Sequence, residues 1–246
     1  LIFHRTVGIV LKCTDYSNTS KIVTIYTRDH GKVRTLAKGA KRKKSDFLGI
    51  LEPLSLLEIV YIQGRKSLHT LKEAHLLDSN LGLREQLPRI ARGLFFLSLI
   101  DRTQPEEDAD PAVFELLSAS LSAIQGLSHP GNIPIVFQLS LLRHFGRLPS
   151  LTVCGQCASS LKGRVSYGEG SGVFLCGACG KGHRWSLSRG ALLALKRLAE
   201  TSFERSGRIK LSKEQRAEIT AVISAMLRSA IEGELPAEGV VNSLLR

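Results

Sequence analysis

Over the first third of the chain, hydrophobic and polar positions alternate with a period of two, and beyond it the period becomes helical. Val7, Ile9, Leu11 and Cys13 alternate with Gly8, Val10 and Lys12, the pattern of a strand with one apolar face. Residues 21–27 (KIVTIYT) are dense in β-branched side chains, and Arg28-Asp29-His30-Gly31 supplies turn chemistry before another strand over residues 32–38. Residues 54–62 and 67–77 follow, separated by Gln63-Gly64-Arg65-Lys66, a hairpin signal centred on Gly64. Five short strands with no long helix predict a small closed barrel over residues 1–78. The OB-fold is the common five-stranded solution, and an SH3-like barrel is a rival that periodicity alone does not separate.

The remainder, residues 79–246, reads as helical. Leu87, Ile90, Ala91, Leu94, Phe95, Leu97 and Leu99 form a broad apolar face ending near Asp101. An acidic loop over residues 105–110 leads to Asp110-Pro111, an N-cap followed by Pro at the first helical position. The next helix carries Val113, Phe114, Leu116, Leu117, Leu121 and Ile124 and stops near Gly126, and residues 135–145 form a third, closed by Gly146. A helix is expected over residues 188–206, and Ser212-Lys213-Glu214-Gln215 opens another as a capping box. Glu234, Pro236 and Gly239 loosen the tail.

Within the helical part, Cys154, Cys157, Cys176 and Cys179 form a C-x2-C-x18-C-x2-C pattern. Two such knuckles suit a tetrahedral zinc site, and four filled ligands leave no position for substrate, so the metal is expected to be structural. Two disulfides are the alternative, disfavoured by the odd fifth cysteine, Cys13, and by the absence of a signal-peptide h-region at the visible start. Gly168-Glu169-Gly170-Ser171-Gly172 suits a hairpin tip, flanked at strand spacing by Val165, Tyr167, Val173 and Leu175. The ribbon so defined spans about residues 151–185. His183 is a weaker alternative ligand, and Cys13 reads as a core thiol.

Charge narrows the partners. The chain of 246 residues carries a formal +12, distributed as +7 over residues 1–78, −1 over 79–150 and +6 over 151–246. Four thiolates and one Zn²⁺ would lower the total by two. A basic chain with a neutral waist favours a polyanionic partner, nucleic acid before anionic membrane. Lys32, Arg34 and Lys38 recur every second residue on one strand face, and Lys41, Arg42, Lys43 and Lys44 continue them into a loop. Such a groove tracks a nucleic-acid backbone. Few aromatics accompany it (Tyr16, Tyr26, Phe47 and Tyr61), which favours sequence-indifferent binding. No run of eighteen apolar residues predicts a membrane span. P-loop, zinc-protease and nucleophile-elbow motifs are absent, so the chain reads as a binding protein rather than an enzyme. The rivals are an adaptor for acidic protein tails and a nucleic-acid-processing enzyme using the carboxylates Glu106, Glu107, Asp108 and Asp110.

Five segments stand in a fixed order along the chain: residues 31–45 (GKVRTLAKGAKRKKS), 51–57 (LEPLSLL), 71–76 (LKEAHL), 110–117 (DPAVFELL) and 137–157 (FQLSLLRHFGRLPSLTVCGQC). Their order resembles the RecO family of bacterial recombination mediators over nearly the whole length. The resemblance implies an α+β multidomain chain: an N-terminal OB-fold, then an all-helical C-terminal domain with an inserted four-cysteine zinc ribbon. It implies binding of single- and double-stranded DNA, ATP-free annealing, and action with RecR to load RecA on strands coated by single-strand binding protein (SSB). It further implies a cytoplasmic location. The family's basic positions fall on Arg34 and Lys38, with the loop of residues 41–44 beside them. The acidic SSB tail is expected on a basic, apolar patch of the helical domain, where Arg143, Lys196 and Arg197 are compatible in charge.

Overall fold

Five strands, β1 (Phe3–Asp15), β2 (Lys21–Thr27), β3 (Gly31–Ala37), β4 (Leu56–Ile62) and β5 (Leu68–Asp78), close into a barrel in the order β1-β2-β3-β5-β4. The structure, a computed structural model, describes residues 1–64 and 67–230. Arg65 and Lys66 of the hairpin signal, and the tail with Glu234, Pro236 and Gly239, lie outside the described residues. Neighbouring strands are antiparallel except β3 and β5, which pair in parallel from Arg34↔Leu68 to Ala37↔Leu71. This strand order and parallel closure make the barrel OB-like, which decides between the two barrels that periodicity left open.

The interior is filled by Val10, Val23, Ile25, Val33, Leu57, Ile59, Tyr61 and Leu71. Val10 belongs to this core, not to the expected face of Val7, Ile9, Leu11 and Cys13. The register jumps from Val10↔Ile25 to Lys12↔Thr24, so Leu11 is the extra residue of a β-bulge. A bulge exchanges the faces beyond it. Cys13 therefore packs against the barrel core from the same side as Val10. Burial raises its thiol pKa, as expected for a core thiol.

Three helices follow: α1 (Leu81–Arg84), α2 (Leu87–Thr103) and α3 (Pro111–Gly126). The expected N-cap is in place, since Val113 N–H donates to Asp110 Oδ1 at 3.1 Å. Leu54 adopts a φ of 77°, strained for a residue with a Cβ. Its fully buried side chain lies where a Cβ on Gly93 of α2 would stand only 2.9 Å away. Its carbonyl accepts from Asn80 Nδ2 at 2.8 Å. Burying a leucine is worth about 1.5–3 kcal/mol, enough to offset such strain. The barrel ends at Asp78, while the first compact unit continues through these helices to Gln125.

The second unit runs from Gly126. It contains α4 (Ile133–His144), the strands β6 (Val165–Gly168), β7 (Val173–Leu175) and β8 (Trp185–Leu187), then α5 (Arg189–Ala199), α6 (Phe203–Ser206) and α7 (Lys213–Ala230). Gly146, at φ 65°, closes α4 as the sequence indicates. The segment 188–206 is two helices rather than one. The chain leaves helical geometry over Glu200–Ser202, where the Glu200 and Thr201 N–H groups bond three residues back instead of four. The capping box of α7 is reciprocal: Gln215 N–H donates to Ser212 Oγ at 3.2 Å and Ser212 N–H to Gln215 Oε1 at 3.0 Å.

Candidate metal centre and nucleic-acid interface

The two knuckles are brought together by a small sheet in the order β7-β6-β8. Tyr167 pairs with Phe174 across the hairpin and with Trp185 on the other side. Gly172, at φ 67°, permits the tight tip between β6 and β7. β8 is the strand that the spacing of apolar residues did not show, because three residues are too few for a period.

The sheet delivers the sulfurs of Cys154, Cys157, Cys176 and Cys179 to within 4.8 Å of one another. Cys157 Sγ and Cys176 Sγ are 3.8 Å apart. A tetrahedron with metal–sulfur bonds of about 2.3 Å has edges near 3.8 Å, so the sulfurs fit a zinc-sized ion. Cys176 N–H points at Cys154 Sγ at 3.3 Å, the kind of bond that stabilises a thiolate ligand. Backbone N–H groups starting with that of Cys179, helped by the Ser159 hydroxyl, lower the Cys176 thiol to about 6. Backbone N–H groups of Cys157 and Cys176 likewise lower Cys154. Cys179 is raised to about 12, because as a thiol it donates to Cys157 and Cys176. A metal held by the four sulfurs would displace that proton. His183 is not part of the cluster, and no Asp or Glu joins a comparable group among the described residues.

The basic residues expected on the barrel do not share one fate. Lys32 is 12% exposed; its ammonium donates to the Asp101 carbonyl and lies 3.5 Å from Asp101 Oδ1. Asp101 also takes Lys12 at 2.8 Å, so Lys32 helps hold α2 against the barrel. Arg34 is half-buried on the same strand face, and Lys38 is exposed just beyond it. The β3–β4 connection is anchored at both ends, since Ala40 and Leu51 are core residues and Phe47 and Ile50 pack against them. Between these anchors Lys41, Arg42, Lys43 and Lys44 face solvent. Lys41 ties the connection to the β1–β2 loop through Asp15 at 2.6 Å, and its N–H donates to the Thr19 carbonyl at 3.0 Å. Lys41 holds the Asp15 carboxyl below its usual range.

That tie sets Tyr16, 60% exposed, beside the basic loop. Of the four aromatics the sequence offered, Tyr26 and Tyr61 are buried and Phe47 is half-buried. Tyr26 spends its hydroxyl on Gln104 Oε1 at 3.2 Å, which leaves Tyr16 for stacking. Sequence reasoning missed Lys72. It is the extra residue of a bulge on β5, exposed where the β3–β5 register places it next to Lys38. Parallel pairing between distant strands leaves no local signal. On the helical side, Arg143 donates to the Ala199 carbonyl, Lys196 is half-buried and Arg197 is exposed.

The acidic loop packs on the barrel. Glu107 N–H donates to the Lys32 carbonyl at 3.0 Å, and Gly31, at φ 64°, lets Asp108 approach where a Cβ would clash at 2.0 Å. His69 is buried beside it. Gly64 N–H donates to His69 Nδ1 at 3.1 Å, which leaves the proton on Nε2. Nε2 lies 3.2 Å from Glu107 Oε1 but out of line for a hydrogen bond. No helix among the described residues is long and apolar enough to cross a membrane.

The family described as Recombination protein O N terminal matches residues 2–80, and that described as Recombination protein O C terminal matches residues 84–238. The chain is similar to the DNA repair protein RecO of Symbiobacterium thermophilum, 33% identical over 245 residues covering 96% of each chain. The DNA repair protein RecO of Salinibacter ruber is 32% identical over 94% of this chain and 90% of its own length. That of Bacillus subtilis is 30% identical over 88% and 85% respectively.

Proposed function

Since this chain belongs to the recombination protein O (RecO) family, we propose that it is a recombination mediator in DNA repair. In this reading it binds single- and double-stranded DNA and anneals complementary strands without ATP. With RecR, it promotes loading of RecA on strands coated by SSB, whose acidic tail it engages. It does so in the cytoplasm, at the nucleoid during repair, and makes or breaks no covalent bond. The observation that carries the DNA-binding part is the anchored loop that, with Lys41 tied to Asp15, holds Arg42, Lys43 and Lys44 outward beside Tyr16, Arg34, Lys38 and Lys72. OB-folds bind oligonucleotides on their second and third strands and on neighbouring loops. Here the second-to-third-strand face is closed at its Tyr26 and Lys32 end, so the strand is taken up at the Arg34 and Lys38 end.

The chemistry asked of the protein is electrostatic. Two single strands repel each other, and cations that neutralise their phosphates lower the barrier to pairing, while base pairing supplies the free energy. We take the metal of the cysteine cluster to be zinc, one ion per chain, because four thiolates in a tetrahedron are its usual structural ligand set. Bound there, the ion joins the two knuckles and takes no part in DNA chemistry.

Annealing of two complementary oligonucleotides, each coated with cognate SSB and supplied with no nucleotide, tests the proposal. Rapid pairing with magnesium present or absent is expected. Pairing of naked strands alone would remove the SSB part of the reading, and no pairing on either would overturn it.

A further inference from the structure

We propose that the outer face of the barrel beside the basic loop seats unpaired bases, with Tyr16 as the ring on which a base stacks, so that the barrel distinguishes a single strand from a duplex. The inference rests on the DNA-binding reading above and names what that site takes. The strand registers line up side chains in a row across four strands. Thr14 pairs with Ile22, Ile22 with Leu36 and Leu36 with Thr70. Paired residues share a face of a sheet. This face is the outer one, because the interior is filled by the alternate residues Val23, Val33, Ala37 and Leu71. Thr14 is exposed and the other three are half-buried. Together they form a floor without charge, apolar at its centre.

Cations border that floor. Arg34 and Lys38 flank Leu36 by two residues either way, so all three side chains stand on one face. Lys72 lies next to Lys38. Lys12, Lys21, Lys32 and Lys41 each form an ion pair with a carboxylate, whereas among the described residues Arg34, Lys38 and Lys72 form none. Their charges are left for phosphates. Tyr16 supplies the ring. The β1–β2 ladder runs one step past Asp15↔Lys21, since Tyr16 N–H donates to the Ser20 carbonyl at 3.0 Å. Alternation then sets Tyr16 on the side of Thr14, at a corner of the floor, and the residue is 60% exposed. The turn that carries it is held in advance. Ser20 N–H donates to Ser17 Oγ at 3.2 Å, and the Lys41 ammonium reaches the Asp15 carboxylate at 2.6 Å and the Ser17 carbonyl at 3.5 Å. A ring so fixed loses little freedom when a base covers it. An uncharged floor with a ring and cations at its rim fits a strand whose bases turn one way and phosphates the other. A duplex keeps its bases paired inward and offers this face mainly phosphates.

The test compares binding of the full-length protein to probes of equal length: oligothymidylate, the same strand with abasic sugars in place of thymidines, and a duplex. The forms titrated over a range of salt are unaltered, Tyr16→Ala, Tyr16→Phe, Leu36→Thr and Arg42→Gln/Lys43→Gln/Lys44→Gln. We expect the unaltered protein to prefer oligothymidylate to the abasic strand. Tyr16→Ala should weaken oligothymidylate binding by about 5- to 150-fold, the worth of one stacked base, with its salt slope, its Tm and its affinity for the other two probes unchanged. Tyr16→Phe should keep the affinity, since the ring remains. Leu36→Thr, which a strand accepts, should likewise weaken only the single strand that has bases. Equal weakening on every probe by Tyr16→Ala would mean that Tyr16 only shapes its loop, and would overturn the proposal. Unchanged oligothymidylate affinity in Tyr16→Ala, with the loop variant still losing slope, would also overturn it and leave the DNA-binding reading intact. Failure of the unaltered protein to bind any probe would defeat both. If Tyr16→Ala releases an acidic peptide but not oligothymidylate, the face belongs to a protein partner and the proposal falls.

Discussion

At the scale of single residues, environment assigns roles that residue type does not. Lys32 and Lys43 are both lysines of one basic run, yet Lys32 is held by Asp101 and Lys43 stands in solvent. The polar aromatic cluster at one end of the barrel shows the same effect. His4 stacks on Tyr61 at 5.0 Å and meets His30 edge-on at 4.6 Å, with buried His69 also 5.0 Å from Tyr61. Burial first, and then His4, lowers the His30 pKa below its ordinary 6.5, with Asp29 opposing. An unfolded chain therefore takes up a proton that the folded chain declines. Stability from this residue is complete well above pH 6.5 and is lost as pH falls below that value, until His30 charges in the folded state as well. Thermal melts between about pH 8 and pH 5 check this, a range that brackets the ordinary histidine value. The Tm of the unaltered protein should fall on the acid side, and His30→Gln should remove part of that fall; a parallel fall in both proteins would rule it out.

At the scale of elements, the helices obey local rules, while the short strands of the ribbon converge on four cysteines that could hold a metal. Asp110 and Ser212 begin their helices because their side chains satisfy N–H groups that have no partner inside the helix. β6, β7 and β8 have only three or four residues each, too few to stand as an isolated sheet. Structural zinc sites contribute an apparent ~10–16 kcal/mol of binding free energy, which is folding free energy for a unit of this size. A strong chelator should therefore abolish the native Trp185 emission, and added zinc should restore it. Cys154→Ser/Cys157→Ser should reproduce the chelated state. Native emission persisting in protein shown to be metal-free would mean that packing alone holds the sheet.

At the scale of the whole molecule, the barrel fixes where charge is displayed. Replacing Arg42, Lys43 and Lys44 by glutamine should flatten the salt dependence of oligothymidylate binding by about 0.7 for each phosphate left without its cation, with little change in Tm. Lys32→Gln should do the reverse, lowering Tm by removing the tie to Asp101 and leaving the slope alone. If the loop variant keeps its slope, the loop is not the binding surface. Much of this was legible in the sequence: five strands by alternation, the helix caps, and the four cysteines by their spacing. Those features are local, set by the period of a backbone or by the chemistry of a few neighbouring residues. The bulges at Leu11 and Lys72, the capture of Lys32, the placement of Lys38 beside Lys72 and the third ribbon strand were not legible. Each depends on which distant segment a strand meets. The sequence alone determined that the chain would form a barrel, helices and a cluster of four cysteines able to hold a metal; the tertiary structure decided which cations face solvent, because only packing determines whether a charge finds a carboxylate partner or water.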